Sequence, residues 1–100
     1  MTRQPTHPGE VLREEFLRPL RLTAADLSRG IGVPIERVTG VLHGERAVSV
    51  DTAIRLGRFF RTNPRFWLNL QAIYDLAQAE AKNAHSDIEP WRTHFHDAYE

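Results

Sequence analysis

The sequence predicts a single all-α domain, because apolar residues recur at helical spacing and helix start and stop signals divide the chain into five such segments. No segment alternates apolar and polar residues for more than a few positions, which argues against β-strands. A chain of 100 residues, 41% of them hydrophobic, can close one core but not two. We therefore expect one domain over residues 1–82 and a C-terminal tail over residues 83–100.

The first two helices begin at strong start signals. The run HPGE at residues 7–10 places a proline at the first helical position, and this helix is expected to end before Pro19. Its buried residues are expected to be Val11, Leu12, Phe16 and Leu20. Thr23, followed three residues later by Asp26, predicts a capping box at the start of the second helix. That helix is short, because Gly32 can adopt the left-handed conformation that ends a helix.

A third helix is predicted from Pro34 to Gly44, so that residues 23–44 form a helix, a glycine turn and another helix. On a helical wheel its apolar side carries Val38, Val41 and Leu42. The opposite side carries Glu36, Thr39, Gly40 and His43. These outward residues are short or compact, which suits insertion into a DNA major groove about 12 Å wide.

Two further helices follow. Ser49 is expected to cap the fourth, whose inward residues are predicted to be Ala53, Ile54, Gly57 and Phe60. The fifth is predicted over residues 64–81, with a wide apolar face of Phe66, Trp67, Leu70, Ile73, Tyr74 and Ala77. In the tail, apolar residues spaced by three or four positions suggest a sixth short helix after Pro90.

Charge is unevenly distributed although the formal net charge is zero. Residues 29–65 carry seven arginines and three acidic residues, whereas residues 66–100 carry two basic and six acidic residues. The basic middle region is compatible with a nucleic-acid partner despite the neutral total. Because the chain has no cysteine and no apolar signal or membrane-spanning run, we expect a cytoplasmic protein without disulfides or a membrane partner.

The residues give no reason to expect an enzyme, a cofactor or a metal site. The richest set of possible ligands is His85, Asp87, His94, His96 and Asp97. His94 and His96 would differ by about 200° on a helix, so they could share an ion only from an extended segment.

The third helix and its flanks supply the expected DNA contacts. Glu36 can accept a hydrogen bond from cytosine N4, or it can simply stabilise the helix dipole in the first turn. A glycine at position 40 reflects either close approach to DNA or a tolerant surface. Arg37, His43 and Arg46 lie where phosphates would pass, with solvated surface as the alternative. The full predicted set is Thr23, Ile35, Glu36, Arg37, Thr39, Gly40, His43 and Arg46.

The segment LTAADLSRGIGVPIERVTGVLHGER, residues 22–46, resembles the helix-turn-helix of the Xre/Cro class of repressors. Residues 7–77, with HPGEVLREEFL, SVDTAIRLGRFF and NPRFWLNLQAIYDLA, resemble the HigA-type antitoxins of that class. The resemblance implies a five-helix lambda-repressor-like domain that forms a homodimer, binds a palindromic operator in double-stranded DNA and neutralises a small ribonuclease toxin. Ala24, Pro34 and Glu45 stand where the family often has a glutamine, a serine and a basic residue.

The dimer surface is expected on the fifth helix and the tail, at Trp67, Leu70, Ile73, Tyr74, Trp91 and Phe95. Alternatively, the apolar face of the fifth helix serves only the core of its own monomer. The termini and the acidic C-terminal third are expected to contact the toxin. Two other functions stay open: a stand-alone repressor without a toxin, and a protein-interaction adaptor that has lost DNA binding.

Overall fold

The structure, a computed structural model, describes residues 4–82 and 85–91, which form five helices and no strand. The predicted all-α class is confirmed. Helix α1 spans residues 8–20 in three consecutive pieces, which are α-helical Pro8–Val11, π-helical Leu12–Leu17 and α-helical Arg18–Leu20. The other four helices are α2 (Ala24–Ile31), α3 (Ile35–Leu42), α4 (Val50–Phe60) and α5 (Pro64–Ala81).

Helix α1 passes through Pro19, so the prediction that it ends before this proline is wrong. In a regular α-helix the proline ring clashes with the carbonyl four residues back. Here the preceding turn is π-helical, and the Arg18 N–H donates to the Arg13 carbonyl five residues back. The wider π-helical turn also changes which side of the helix faces the core in the residues that follow. Leu17 is therefore buried, whereas Leu20, expected in the core, is 57% exposed.

The start and stop signals of α2 are confirmed. The Thr23 hydroxyl accepts from the Asp26 N–H at 3.0 Å, and the Thr23 N–H donates to the Asp26 carboxylate at 2.8 Å. Gly32 ends α2 in the left-handed region with φ of 72°. Pro34 is the N-cap of α3 rather than its first helical residue, so α3 begins one residue later than predicted, at Ile35.

The boundaries of the last two helices also follow local signals. The Ser49 hydroxyl accepts from the Thr52 N–H at 3.1 Å and caps α4. Arg61, with φ of 61°, ends that helix. The Asn63 side chain then accepts from the Arg65 N–H at 2.9 Å and caps α5, whose bounds match the predicted residues 64–81.

Trp67 of α5 lies in the middle of the core and has no exposed surface. Its indole N–H donates to the Thr62 hydroxyl at 2.9 Å, and its ring centroid lies 5.1 Å from that of Phe16. The prediction that Trp67 contacts a second subunit is wrong, because every part of the side chain is covered by its own chain. The buried apolar residues are Leu12, Leu17, Leu27, Ile31, Val33, Val38, Val41, Val48, Ala53, Leu56 and Trp67.

Helix α4 turns the predicted residues Ala53, Gly57 and Phe60 toward the core, but not Ile54. Leu56 is fully buried, whereas Ile54 is 43% exposed and lines an open groove beside Phe59. Phe59 lies directly on Gly30 of α2, where any Cβ would collide with the ring. The packing of α4 against α2 and α5 decides which of these neighbouring residues is covered.

Candidate nucleic-acid interface

Helix α3 has one side in the core and one side in solvent, as the wheel predicts. Val38 and Val41 are almost completely buried. Glu36 and His43 are exposed on the other side, and Ile35 is exposed at the start of the helix. The outward residues Thr39 and Gly40 are half-buried and therefore accessible at the surface of the monomer.

Helix α1 fixes the C-terminal end of α3 from behind. The Arg13 guanidinium donates to the Leu42 carbonyl at 2.9 Å, which satisfies one of the carbonyls left open at a helix end. Gly9 packs directly on the Val41 carbonyl, and any Cβ at Gly9 would collide with this oxygen. Sequence reasoning missed both contacts, because they join residues about thirty positions apart.

Gly40 makes room for the arginine that follows the helix. The N–H groups of Glu45 and Arg46 donate to the Gly40 carbonyl at 2.9 and 3.0 Å. The Arg46 side chain then lies across Gly40, where an added Cβ would be 3.2 Å from the Arg46 Cβ. The chain itself therefore accounts for a glycine on this face, and it places a cationic side chain beside the outward residues of α3.

Some of the arginines in the basic middle region are paired locally. The Asp51 carboxylate binds Arg37 at 3.1 Å and Arg55 at 2.9 Å, and Asp26 binds Arg29 at 2.8 Å. Within residues 4–82, four other arginines of this region have no ion-pair partner, namely Arg46, Arg58, Arg61 and Arg65. Because Arg46 adjoins α3, its positive charge is available next to the exposed face of that helix.

Similar proteins agree with this geometry. No family model matches the chain. An HTH-type transcriptional regulator of Haemophilus influenzae is 40% identical over 80 residues, which cover 80% of this chain and 75% of the relative. Antitoxin HigA-1 of Vibrio cholerae is 35% identical over 74 residues, which cover 74% and 70%. The structure of Pseudomonas aeruginosa antitoxin HigA with the higBA promoter has a TM-score of 0.82 and 44% identity, covering 87% of this chain and 98% of that one.

The chain belongs to the HigA antitoxin family of helix-turn-helix regulators. The family resemblance predicted from residues 7–77 is therefore confirmed. In this HigA-family chain, α2, the Gly32 turn and α3 form the helix-turn-helix.

Three other predicted contact residues of this HigA-family protein have partners within the chain. Arg37 is half-buried and its guanidinium faces Asp51 of α4, so a phosphate contact by Arg37 stays a prediction. The Thr39 hydroxyl donates to the Glu36 carbonyl at 3.3 Å. The Thr23 hydroxyl serves the capping box, and hydrogen bonding from the Thr23 main chain lowers the pKa of Asp26.

The predicted dimer residues lie in different surroundings. Leu70 and Tyr74 are half-buried, and Ile73 is 56% exposed on the outer side of α5. Trp91 is exposed, whereas Phe95 lies outside the described residues, as does most of the proposed sixth helix. Apart from Trp67, these contacts stay predictions.

Residues 4–82 and 85–91 contain no group of three His, Asp or Glu side chains arranged to hold a metal ion. His94, His96 and Asp97 lie outside this range. In the same part of the chain, no helix combines the length and apolar content required to cross a bilayer.

Proposed function

We propose that this HigA-family protein is an antitoxin that binds its toxin and, as a homodimer, represses its own operon at a palindromic operator. The observation that carries the proposal is the outward face of α3, where small and polar residues lie beside Arg46, which has no ion-pair partner among the described residues. A face of this kind can approach base edges closely while the arginine neutralises a phosphate. The relative from Pseudomonas aeruginosa, which was solved with promoter DNA, supports the proposal.

In this proposal, different residues recognise the base sequence and bind the phosphates. Glu36 in the first turn of α3 and Thr39 in its middle face outward, where they would contact base edges. His43 and Arg46 lie at the end of the helix, where they would contact phosphates irrespective of sequence. Ile35, 40% exposed at the start of α3, would contact a thymine methyl group.

A homodimer would present two copies of α3 to successive half-sites, about 34 Å apart along B-DNA. The exposed side of α5 is the surface that we assign to this dimer. It carries Phe66, Ile73 and Leu76, which are 39%, 56% and 59% exposed. Covering these apolar side chains would remove them from water, which favours association.

The test of DNA recognition is binding to the DNA upstream of the gene, measured by fluorescence anisotropy at several salt concentrations. Replacing Glu36 and Thr39 by alanine should change the preferred sequence. Arg46→Ala should weaken all sequences alike and lower the salt slope by about one. Arg65→Ala is the matched control, because Arg65 is also exposed and has no ion-pair partner among the described residues, but it lies on α5. Equal losses for Arg46→Ala and Arg65→Ala would contradict the assignment.

Toxin binding is tested by co-expressing the chain with the product of the adjacent short open reading frame. We expect the two proteins to purify together and the acidic tail, residues 83–100, to contribute to the contact. Operator binding without a co-purifying partner would favour the stand-alone repressor. A partner without operator binding would favour the adaptor.

A further inference from the structure

His7 lies at a junction of three parts of the molecule. Its Nδ1 accepts from the Gly9 N–H at 2.9 Å and so caps the start of α1. Its ring meets Tyr74 of α5 edge to face, with 4.9 Å between the ring centroids. On another side the ring lies beside Gly44, where an added Cβ would be 3.7 Å from the imidazole Cγ. One side chain therefore caps the start of α1, contacts α5 and lies next to the turn after α3.

The turn beside His7 is the one that carries Arg46. Gly44 is in the left-handed region with φ of 73°, and its N–H donates to the Val41 carbonyl at 3.0 Å. Two residues later, the Arg46 N–H donates to the Gly40 carbonyl. These bonds join the turn to the last turn of α3. A displacement of Gly44 therefore moves the point from which the Arg46 side chain leaves the backbone.

The protonation state of His7 favours its hydrogen bond with the Gly9 N–H, which holds the ring in one position. Burial lowers the pKa of His7, and the nearby Asp75 carboxylate opposes this shift only in part. At neutral pH the ring is therefore mainly neutral, and Nδ1 keeps the lone pair that the Gly9 N–H requires. The cap fixes the plane of the ring, Tyr74 contacts the ring from α5, and the Gly44 turn lies beside it.

We infer that His7 is a positioning residue for operator binding: its ring, supported by Tyr74, holds the Gly44 turn and thereby keeps Arg46 across Gly40 beside α3. The DNA part of this inference rests on the proposed function, in which Arg46 contacts phosphate. The inference also connects α5, the proposed dimer helix, with the residues at the end of α3.

The key variant is His7→Asn, because asparagine is a favoured N-cap that can still accept from the Gly9 N–H but lacks the ring. We expect the operator dissociation constant to rise about threefold to tenfold at a temperature where circular dichroism shows both proteins to be folded. Glu15→Gln is the control, since Glu15 is an exposed residue of the helix that His7 caps, and it should bind like the unmodified protein. In an Arg46→Ala background, His7→Asn should have no further effect, because the ring acts through that arginine.

A second measurement does not depend on DNA. The N–H groups of Glu45 and Arg46, which bond to the Gly40 carbonyl, should exchange with deuterium faster in His7→Asn, while amides in the middle of α5 should not. Unchanged exchange, or an equal loss of affinity in the Arg46→Ala background, would overturn the positioning role. If the unmodified protein binds no upstream DNA, the proposed function fails, and the exchange experiment still decides whether His7 positions the turn.

Discussion

Helices α3 and α5 bury one side each in the same core, yet their exposed sides differ in size and chemistry. The outward side of α3 carries Glu36, Thr39, Gly40 and His43. The outward side of α5 carries Phe66, Ile73 and Leu76. A surface of small polar groups allows another molecule to approach the helix backbone, whereas exposed large apolar side chains gain free energy when another apolar surface covers them. We therefore propose that α3 recognises a polar partner and that α5 takes part in protein association.

The two helices also differ in how they are anchored. The end of α3 is fixed by the Arg13 bond to its last carbonyl and by the close approach of Gly9. Helix α5 is anchored by a fully buried Trp67 and by Gln71, whose carboxamide bridges Val48 and Asp75. Substitutions of the buried residues of α5 should therefore lower the stability of the whole fold. Substitutions on the outer side of α3 should instead affect binding.

The largest expected effect on stability distinguishes the buried side of α5 from its exposed side. Trp67→Ala should lower the free energy of unfolding by about 3 to 5 kcal/mol, because it opens a cavity in the core. Leu76→Ala should change the stability of the monomer by less than about 1 kcal/mol, since its side chain is already exposed, but it should weaken the proposed dimer. Urea unfolding and sedimentation at several concentrations measure the two effects. Similar unfolding losses for both variants would refute the assignment of the two sides.

An intermediate effect is expected at Gln71, a residue that sequence reasoning missed. Its side-chain oxygen accepts from the buried Val48 N–H at 2.8 Å, and its NH₂ group donates to Asp75 at 2.9 Å. Gln71→Ala leaves the Val48 N–H without an acceptor and should cost about 1 to 3 kcal/mol in urea unfolding. Gln78→Ala on the exposed side of the same helix is the matched control and should stay within about 0.5 kcal/mol of the unmodified protein.

The smallest effect on stability is expected on α3. Gly40→Ala gains about 0.5 to 1 kcal/mol of helix propensity, and the tight contact of the new Cβ with Arg46 should offset most of it. Operator affinity should nevertheless fall about fivefold, equivalent to roughly 1 kcal/mol, because Arg46 is displaced. Binding titrations and thermal unfolding of the same samples check both parts. A more stable variant with unchanged affinity would mean that the position of Arg46 is immaterial to binding.

Much of the fold follows from local sequence signals. The capping box at Thr23, the cap at Ser49 and the left-handed glycine at position 32 are all present where predicted. Each of these signals acts within four residues along the chain, so it can be recognised without knowing where other helices lie. The outward orientation of α3 was also predictable, because its wheel separates apolar from polar residues clearly.

The burial of individual apolar side chains was less predictable. Leu20 and Ile54 have the spacing of core residues and yet are 57% and 43% exposed. The π-helical turn before Pro19 shifts the face of α1, and the contact of α4 with α2 and α5 selects Leu56 instead. Trp67 fits either a dimer surface or a core by its spacing alone. Only the tertiary packing places it in the core.

The sequence by itself determined the all-α class, the helix boundaries to within a few residues and the helix-turn-helix, since these depend on hydrogen bonds and periodicities within single segments. The tertiary structure alone decided that Arg46 lies across Gly40, that His7 joins α1, α5 and the turn after α3, and that Gln71 holds Val48. These contacts depend on how the helices pack in space, because most of them join side chains that are distant along the chain.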